Sequence, residues 1–158
     1  MRDYCTLTLG GHTYAVELRH LREVIAPLPS TPLPLAPEEI RGVMNLRGEL
    51  VPILVLDGWL GLKTAEATIQ RRPWLAVMEA EQRVFAALVD RVGTARVEEE
   101  ETTPPNPDEE RYEGFLASFQ PPVPSLRLAS LFASLEGRLR RPLASEAPRQ
   151  SNQQPTSQ

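Results

Sequence analysis

An ordered set of apolar, glycine and proline positions recurs in the two halves of this chain, and no other feature constrains its fold so tightly. Shifted by 72 residues, Gly42 falls on Gly114, Val43 on Phe115, Val51 on Val123, Pro52 on Pro124, Leu54 on Leu126 and Leu56 on Leu128. Shifted by 68, Leu7 falls on Leu75, Leu9 on Val77, Val16 on Val84 and Leu21 on Val89. A four-residue change in the intervening loop reconciles the two shifts. Self-similarity at a fixed period marks one structural unit used twice. A unit of about 60–70 residues is marginal alone, so the pattern predicts two β-rich lobes that share a core.

Local patterning supplies the elements. Cys5, Leu7 and Leu9 alternate with Thr6 and Thr8, Gly10-Gly11 provides a turn, and Tyr14, Val16 and Leu18 resume the alternation. This reads as a hairpin with one buried face, Cys5 inside it. Arg19 to Ile25 reads as one helical turn leading into a strand. Five prolines between Pro27 and Pro37 keep the next stretch extended, because a helix interior does not tolerate them. Pro37 to Ile40 fits one short helical turn. Leu50 to Leu56 is a nearly continuous apolar strand, and residues 63 to 73 read as a polar loop. Trp74 to Met78 and Arg83 to Val89 form a second hairpin. Trp59 and Trp74 are expected in the core or at the lobe junction. The run Glu98 to Glu101 with Pro104, Pro105 and Pro107 is an acidic connector. Gly114 to Phe119 and Val123 to Leu128 read as strands, and a C-terminal helix begins near Ala129. Residues 142–158 are Ser, Gln, Pro, Asn and Arg with little to bury, so a disordered polar tail is expected.

Composition removes several function classes. A net charge of −4 and a pI near 5.3 argue against a nucleic-acid surface, which needs a basic stripe. Cys5 is the only cysteine, leaving no disulfide or thiolate metal site. The start, Met1 to Tyr4, lacks the apolar run of a signal peptide, and no stretch approaches a membrane span; a cytoplasmic location without membrane insertion is expected. His12 and His20 stand away from any Ser, Cys or carboxylate at catalytic spacing, and two scattered histidines make no metal site. Gly10-Gly11 lacks the pattern of a phosphate loop. Ser125 and Ser130 lack the context of a nucleophile elbow. The reading is therefore a protein with no catalytic residues, no metal and no cofactor.

What remains is a recognition motif. Gly42-Val43-Met44-Asn45-Leu46-Arg47-Gly48 leads directly into Glu49-Leu50-Val51-Pro52-Ile53. A glycine-bearing turn there presents the planar donor fork of Arg47 on a rigid corner, suited to a carboxylate. Upstream, Leu21-Arg22-Glu23-Val24-Ile25 offers Glu23 beside apolar neighbours. An Arg47–Glu23 pair at the mouth of a groove is expected, and if exposed it contributes only about 0.2–1 kcal/mol to stability. The motif is not duplicated: under the two shifts Glu23 falls on Arg91 and Arg47 on Phe119.

Taken together, Glu23-Val24-Ile25, the Gly42 to Gly48 motif, Val51-Pro52-Ile53 and Leu88-Val89-Asp90-Arg91-Val92 resemble the CheW-type chemotaxis coupling proteins over residues 4 to 136. The resemblance implies a mostly β fold of two intertwined five-stranded SH3-like barrels with short helices and a C-terminal helix. It implies one domain over residues 1–141, lobe one mainly from about 20–70 and lobe two mainly from about 74–135, with strands exchanged. It implies a non-enzymatic adaptor joining the cytoplasmic tips of chemoreceptors to the regulatory domain of a CheA-type histidine kinase and to other CheW-like domains, recruited to receptor clusters. Carried over by position, Glu23, Val24, Asn45, Leu46, Arg47 and Gly48 are the binding residues, with Gly42 and Val43 supporting their backbone. The chain departs from the family at Val55, where an acidic residue is usual, at Arg127, and at Pro121, Pro122 and Pro124. These departures bear on ring-forming contacts more than on the fold. The alternative is a divergent CheW-like protein of a motility or pilus pathway that binds one partner and limits array assembly.

Overall fold

A computed structural model describes residues 1–98, 102–104 and 109–137. Twelve strands, β1 (Arg2–Leu9), β2 (His12–Glu17), β3 (Leu21–Ile25), β4 (Ser30–Thr31), β5 (Ile40–Leu46), β6 (Glu49–Leu54), β7 (Trp74–Ala80), β8 (Arg83–Val89), β9 (Arg91–Val97), β10 (Thr102–Thr103), β11 (Tyr112–Leu116) and β12 (Val123–Leu126), fall among the described residues. A 3-10 turn, Leu18–His20, precedes β3, helix α1 spans Glu66–Gln70, and helix α2 runs from 128 to 137.

The strands form two sheets with one topology. Sheet one runs β3-β7-β8-β6-β5-β4 and sheet two runs β9-β1-β2-β12-β11-β10. Each has five full strands and a two-residue sixth, consistent with SH3-like barrel lobes. Each takes its hairpin from the opposite half of the chain: β7–β8 sits among the strands of the first half, and β1–β2 among those of the second.

Register refines the repeat. Tyr4 lies opposite Glu17 as Leu75 lies opposite Leu88, and Gly10 and Gly11 correspond to Glu81 and Gln82, all four at positive φ. The hairpin shift is thus 71, not 68. Thr6 pairs with Gly93 as Val77 pairs with Glu23, so Glu23 corresponds to Gly93 rather than Arg91. The later shift of 72 holds: Gly42 opposite Ile53 becomes Gly114 opposite Ser125, each beside a bulge. The sequence misleads at β7 because the strand is buried on both faces. Ala76 and Met78 join the large central cluster, while Leu75 and Val77 join a second cluster inside lobe one. A strand apolar on both sides has no alternation to set its phase.

The central cluster is where the two exchanged hairpins meet. Cys5, Leu7 and Leu9 pack with Met78, Phe85 and Ala87, capped by Leu131, Phe132 and Leu135 of α2. Phe85 and Phe132 meet edge to face at 5.5 Å, a favoured aromatic geometry. Each of these large side chains contributes about 1.5–3 kcal/mol by leaving water. Neither lobe can keep its core without the other's hairpin, which is why two marginal units make one stable molecule.

Other expectations shift in detail. The stretch 63–73 is not all loop: α1 forms there and buries Ile69. Strands β9 and β10 carry too little apolar patterning to be read from sequence. Pro37 to Ile40 makes a single turn closed by the Ile40 N–H on the Pro37 carbonyl at 2.9 Å, not a helix. β6 ends at Leu54 and β11 at Leu116, short of the predicted limits. Trp74 is 41% exposed, whereas Trp59 packs against the central cluster. Residues 99–101, within the acidic run, and the tail 142–158 lie outside the described residues.

Candidate functional site

The Arg47 corner is the tight turn of the β5–β6 hairpin. Arg47 and Gly48 take φ of 50° and 88°, two consecutive left-handed residues, as hairpins twisting to the right require. Asn45 holds the turn, its Oδ1 accepting the Gly48 N–H at 2.7 Å. Leu46 points inward with Met44 and Val51; it seats the turn and does not present a surface. Gly42 has no room for a side chain, since a Cβ there would lie 2.9 Å from the Thr31 carbonyl oxygen. Val43, half-buried, faces Pro52 across the hairpin.

Sheet one curls so that its edge strand β3 meets this turn. Arg47 donates to Glu23, whose side chain is 30% exposed against 68% for Arg47. A second pair lies beside it: Arg22 Nη1 donates to Glu49 Oε1 at 3.3 Å. Neighbours on a regular strand point to opposite faces, yet Arg22 and Glu23 both reach the turn. The reason is a register shift between Leu21 and Glu23 that leaves Arg22 as the extra residue, and such a bulge re-aims side chains. The equivalent pairing of β1 with β9 has no shift. The charged seam is therefore specific to lobe one. Val24 stays exposed next to it, as does Leu50, at 72%. Sequence reasoning missed Leu50, which reads as one more apolar position in a strand; only the exposed start of β6 puts it outside.

Sequence reasoning also missed a buried charged junction. Arg72, with no exposed side-chain surface, donates to Asp57 through Nη1 and Nη2, both at 2.6 Å. Thr64 Oγ1 donates to the same carboxylate at 2.6 Å. Arg72 Nε lies 3.5 Å from Asp90 Oδ2, and Asp90 Oδ2 accepts the Gly10 N–H at 2.8 Å. The network ties the segment after β6, the α1 segment and the β8–β9 corner to the β1–β2 turn of the other sheet. Burial raises the Asp57 pKa, but the hydrogen bonds from Arg72 and Thr64 outweigh it and hold the carboxyl below its ordinary value. The only trace in the sequence is Asp90 within Leu88 to Val92.

His12 is exposed, and His20 Nδ1 lies 3.0 Å from the Glu79 carbonyl oxygen. No metal-binding cluster occurs among the described residues. No described helix is long and apolar enough to cross a membrane. The site offers two arginine–carboxylate pairs and exposed apolar side chains, which suits the docking of another protein.

Comparison with known proteins identifies a family. The family described as "CheW-like domain" matches residues 3–121. The chain is 34% identical to "Chemotaxis protein CheW" of Rhizobium meliloti over 107 residues, covering 68% of each chain. It is 35% identical to "Protein PilI" of Pseudomonas aeruginosa over 81 residues, 51% of this chain and 44% of that one. Its fold superposes on the crystal structure of scaffolding protein TtCheW from Thermoanaerobacter tengcongensis with a TM-score of 0.72 at 21% identity, covering 80% of this chain and 88% of the other. On the strength of that family match and those relatives, the chain belongs to the CheW-like family of chemotaxis coupling proteins.

Proposed function

We propose that this chain is a non-enzymatic adaptor that couples chemoreceptor cytoplasmic tips to the regulatory domain of a CheA-type histidine kinase, in the cytoplasm and at receptor clusters. Other CheW-like domains are further partners. The observation that carries this reading is the left-handed Arg47-Gly48 turn, which holds an exposed guanidinium beside Glu23 and Val24. On it, Glu23, Val24, Asn45, Arg47 and Gly48 form the contact surface, Leu46 anchors it from below, and Gly42 and Val43 keep β5 in place. A receptor tip is a helix, and a helix laid against a groove is an established recognition mode.

Arg47→Glu tests the assignment. It reverses the fork's charge and sets it against Glu23. Because the pair is exposed, stability should fall by no more than about 1 kcal/mol, with an unchanged circular dichroism spectrum. Pull-down of receptor or kinase should weaken clearly; undiminished capture of both partners refutes the site. A second reading, a pilus or motility array in which the chain caps a ring edge, draws on the similarity to PilI. Adding the chain to receptor and kinase separates the two, since a coupler raises receptor-controlled kinase activity and a cap lowers it.

A further inference from the structure

We propose that the cleft between the β1–β2 turn and the β11–β12 loop is a binding site for a small, flat, uncharged ligand: an aromatic ring that carries a neutral hydrogen-bonding group such as a carboxamide. The cleft, of about 430 Å³, lies in lobe two and shares no residue with the Arg47 corner. Its volume falls within the ~300–1,000 Å³ usual for ligand sites. Tyr14 and Tyr112, ring centroids 6.4 Å apart, and Phe119 supply aromatic surface, and the exposed Pro121 and Pro122 add a further apolar wall. Walls of this kind take a ring by its face or its edge. One side of the cleft is preformed, because Asp90 Oδ2 accepts the Gly10 N–H at 2.8 Å and so fixes the turn that leads into Gly11 and Thr13.

The polar groups of the cleft point to a ligand because the fold does not use them. Tyr14 is only 5% exposed, yet no described residue hydrogen-bonds its hydroxyl. A buried tyrosine usually finds such a partner. The hydroxyl is not sealed off in the interior, and Tyr14 lines the cleft. Burial pushes the Tyr14 pKa up to about 12, so the hydroxyl keeps its proton and can donate. The hydroxyls of Thr6, Thr13 and Thr94 line the same cleft and likewise have no partner among the described residues. A ligand that bonds these groups is selected over one that cannot. Charge is what the cleft lacks. No Asp, Glu, Lys or Arg stands among its lining residues. Arg111, whose guanidinium lies 5.4 Å over the Tyr112 ring, is already bound through Nε and Nη2 to the Glu109 carboxylate, both at 2.7 Å. A charged ligand would lose hydration there and gain no counter-ion.

Chemical-shift titration of the full chain tests this with three probes of nearly one shape: benzamide, benzoate and benzamidinium, which are neutral, negative and positive. Benzamide should shift the amide resonances of Gly11, Thr13, Thr94 and Val123, and the shifts should saturate. Benzoate and benzamidinium should bind at least about tenfold more weakly. Tyr14→Phe removes only the hydroxyl. Since no protein partner is lost, its urea midpoint should not fall, while its affinity for benzamide should drop about fivefold. Thr94→Arg, at an exposed position, fills and charges the cleft and should abolish the shifts at Gly11, Thr13 and Val123. Benzamide shifts that do not saturate at these amides, or a charged probe that binds as tightly as benzamide, overturn the proposal. So does a Tyr14→Phe chain that binds benzamide as well as the unaltered one, or one with a lowered urea midpoint, because the hydroxyl then serves the fold and not a ligand.

Discussion

Asp57→Asn keeps the shape of a buried side chain and removes its charge. In the native junction the Asp57 carboxylate accepts two 2.6 Å bonds from Arg72 and one from Thr64. Asparagine keeps one acceptor and turns an amide donor toward the other guanidinium nitrogen. Arg72 is then left with the Leu88 carbonyl at 3.3 Å and Asp90 at 3.5 Å. Removing one partner of a buried ion pair costs about 3–5 kcal/mol, and the remaining acceptor puts this change near the lower end, about 3. For a chain of 158 residues, each kcal/mol shifts the Tm by roughly 2–4 °C, so a fall of about 6–12 °C is expected. Urea denaturation followed by the fluorescence of Trp59 and Trp74 measures the free energy directly. A companion variant, Asp57→Leu with Arg72→Met, removes both charges and should be more stable than the single change, because neither ion is stranded. The pH dependence has a definite sign. A carboxyl whose pKa is depressed on folding stabilises the native state above its unfolded pKa, about 3.9, and that contribution disappears as pH falls through the folded value. The asparagine variant should lose this part of the acid transition. A loss below about 1 kcal/mol, or a double variant weaker than the single one, refutes the view that the junction depends on a matched charge pair.

Two further expectations use the internal repeat. A Cβ at Gly114 would lie 2.6 Å from the Thr103 carbonyl oxygen, as one at Gly42 would lie 2.9 Å from that of Thr31; Gly114→Ala should therefore cost about 1–3 kcal/mol in chemical denaturation and expose the amides of β10 and β11 to hydrogen exchange, and exchange left unaltered would show that β10 simply moves aside. The β7–β8 turn holds Glu81 and Gln82 at positive φ where β1–β2 uses two glycines, so Gln82→Gly should raise stability by about 0.5–1 kcal/mol, and a fall in urea midpoint would contradict the strain assigned to that turn.

The geometry of the Arg47 corner is legible because its constraints are local. A left-handed turn favours glycine, and Asn45, Arg47 and Gly48 lie within four residues of one another. The partner of Arg47 lies 24 residues away, yet Glu23 stands out in sequence as the one carboxylate of the apolar strand Leu21–Ile25. The second pair, Arg22–Glu49, depends on a bulge, and a bulge leaves no mark on composition. Arg72 shows the limit most clearly. In sequence it is one of several arginines, next to Arg71, which is exposed, while Arg72 is buried against Asp57 and near Asp90.

The order of apolar, glycine and proline positions settled that the chain is a duplicated β protein with one charged corner, since spacing of that kind is a property of neighbours along the backbone. The register of β7 and β8 and the pairing of Arg72 with Asp57 were decided only in three dimensions, whereas the exchange of hairpins was implied by the family resemblance and not by spacing. The register is undetermined locally because strands distant in sequence bury both faces of the same hairpin. There a one-residue slip exchanges one apolar surface for another, and nothing in the local pattern distinguishes them.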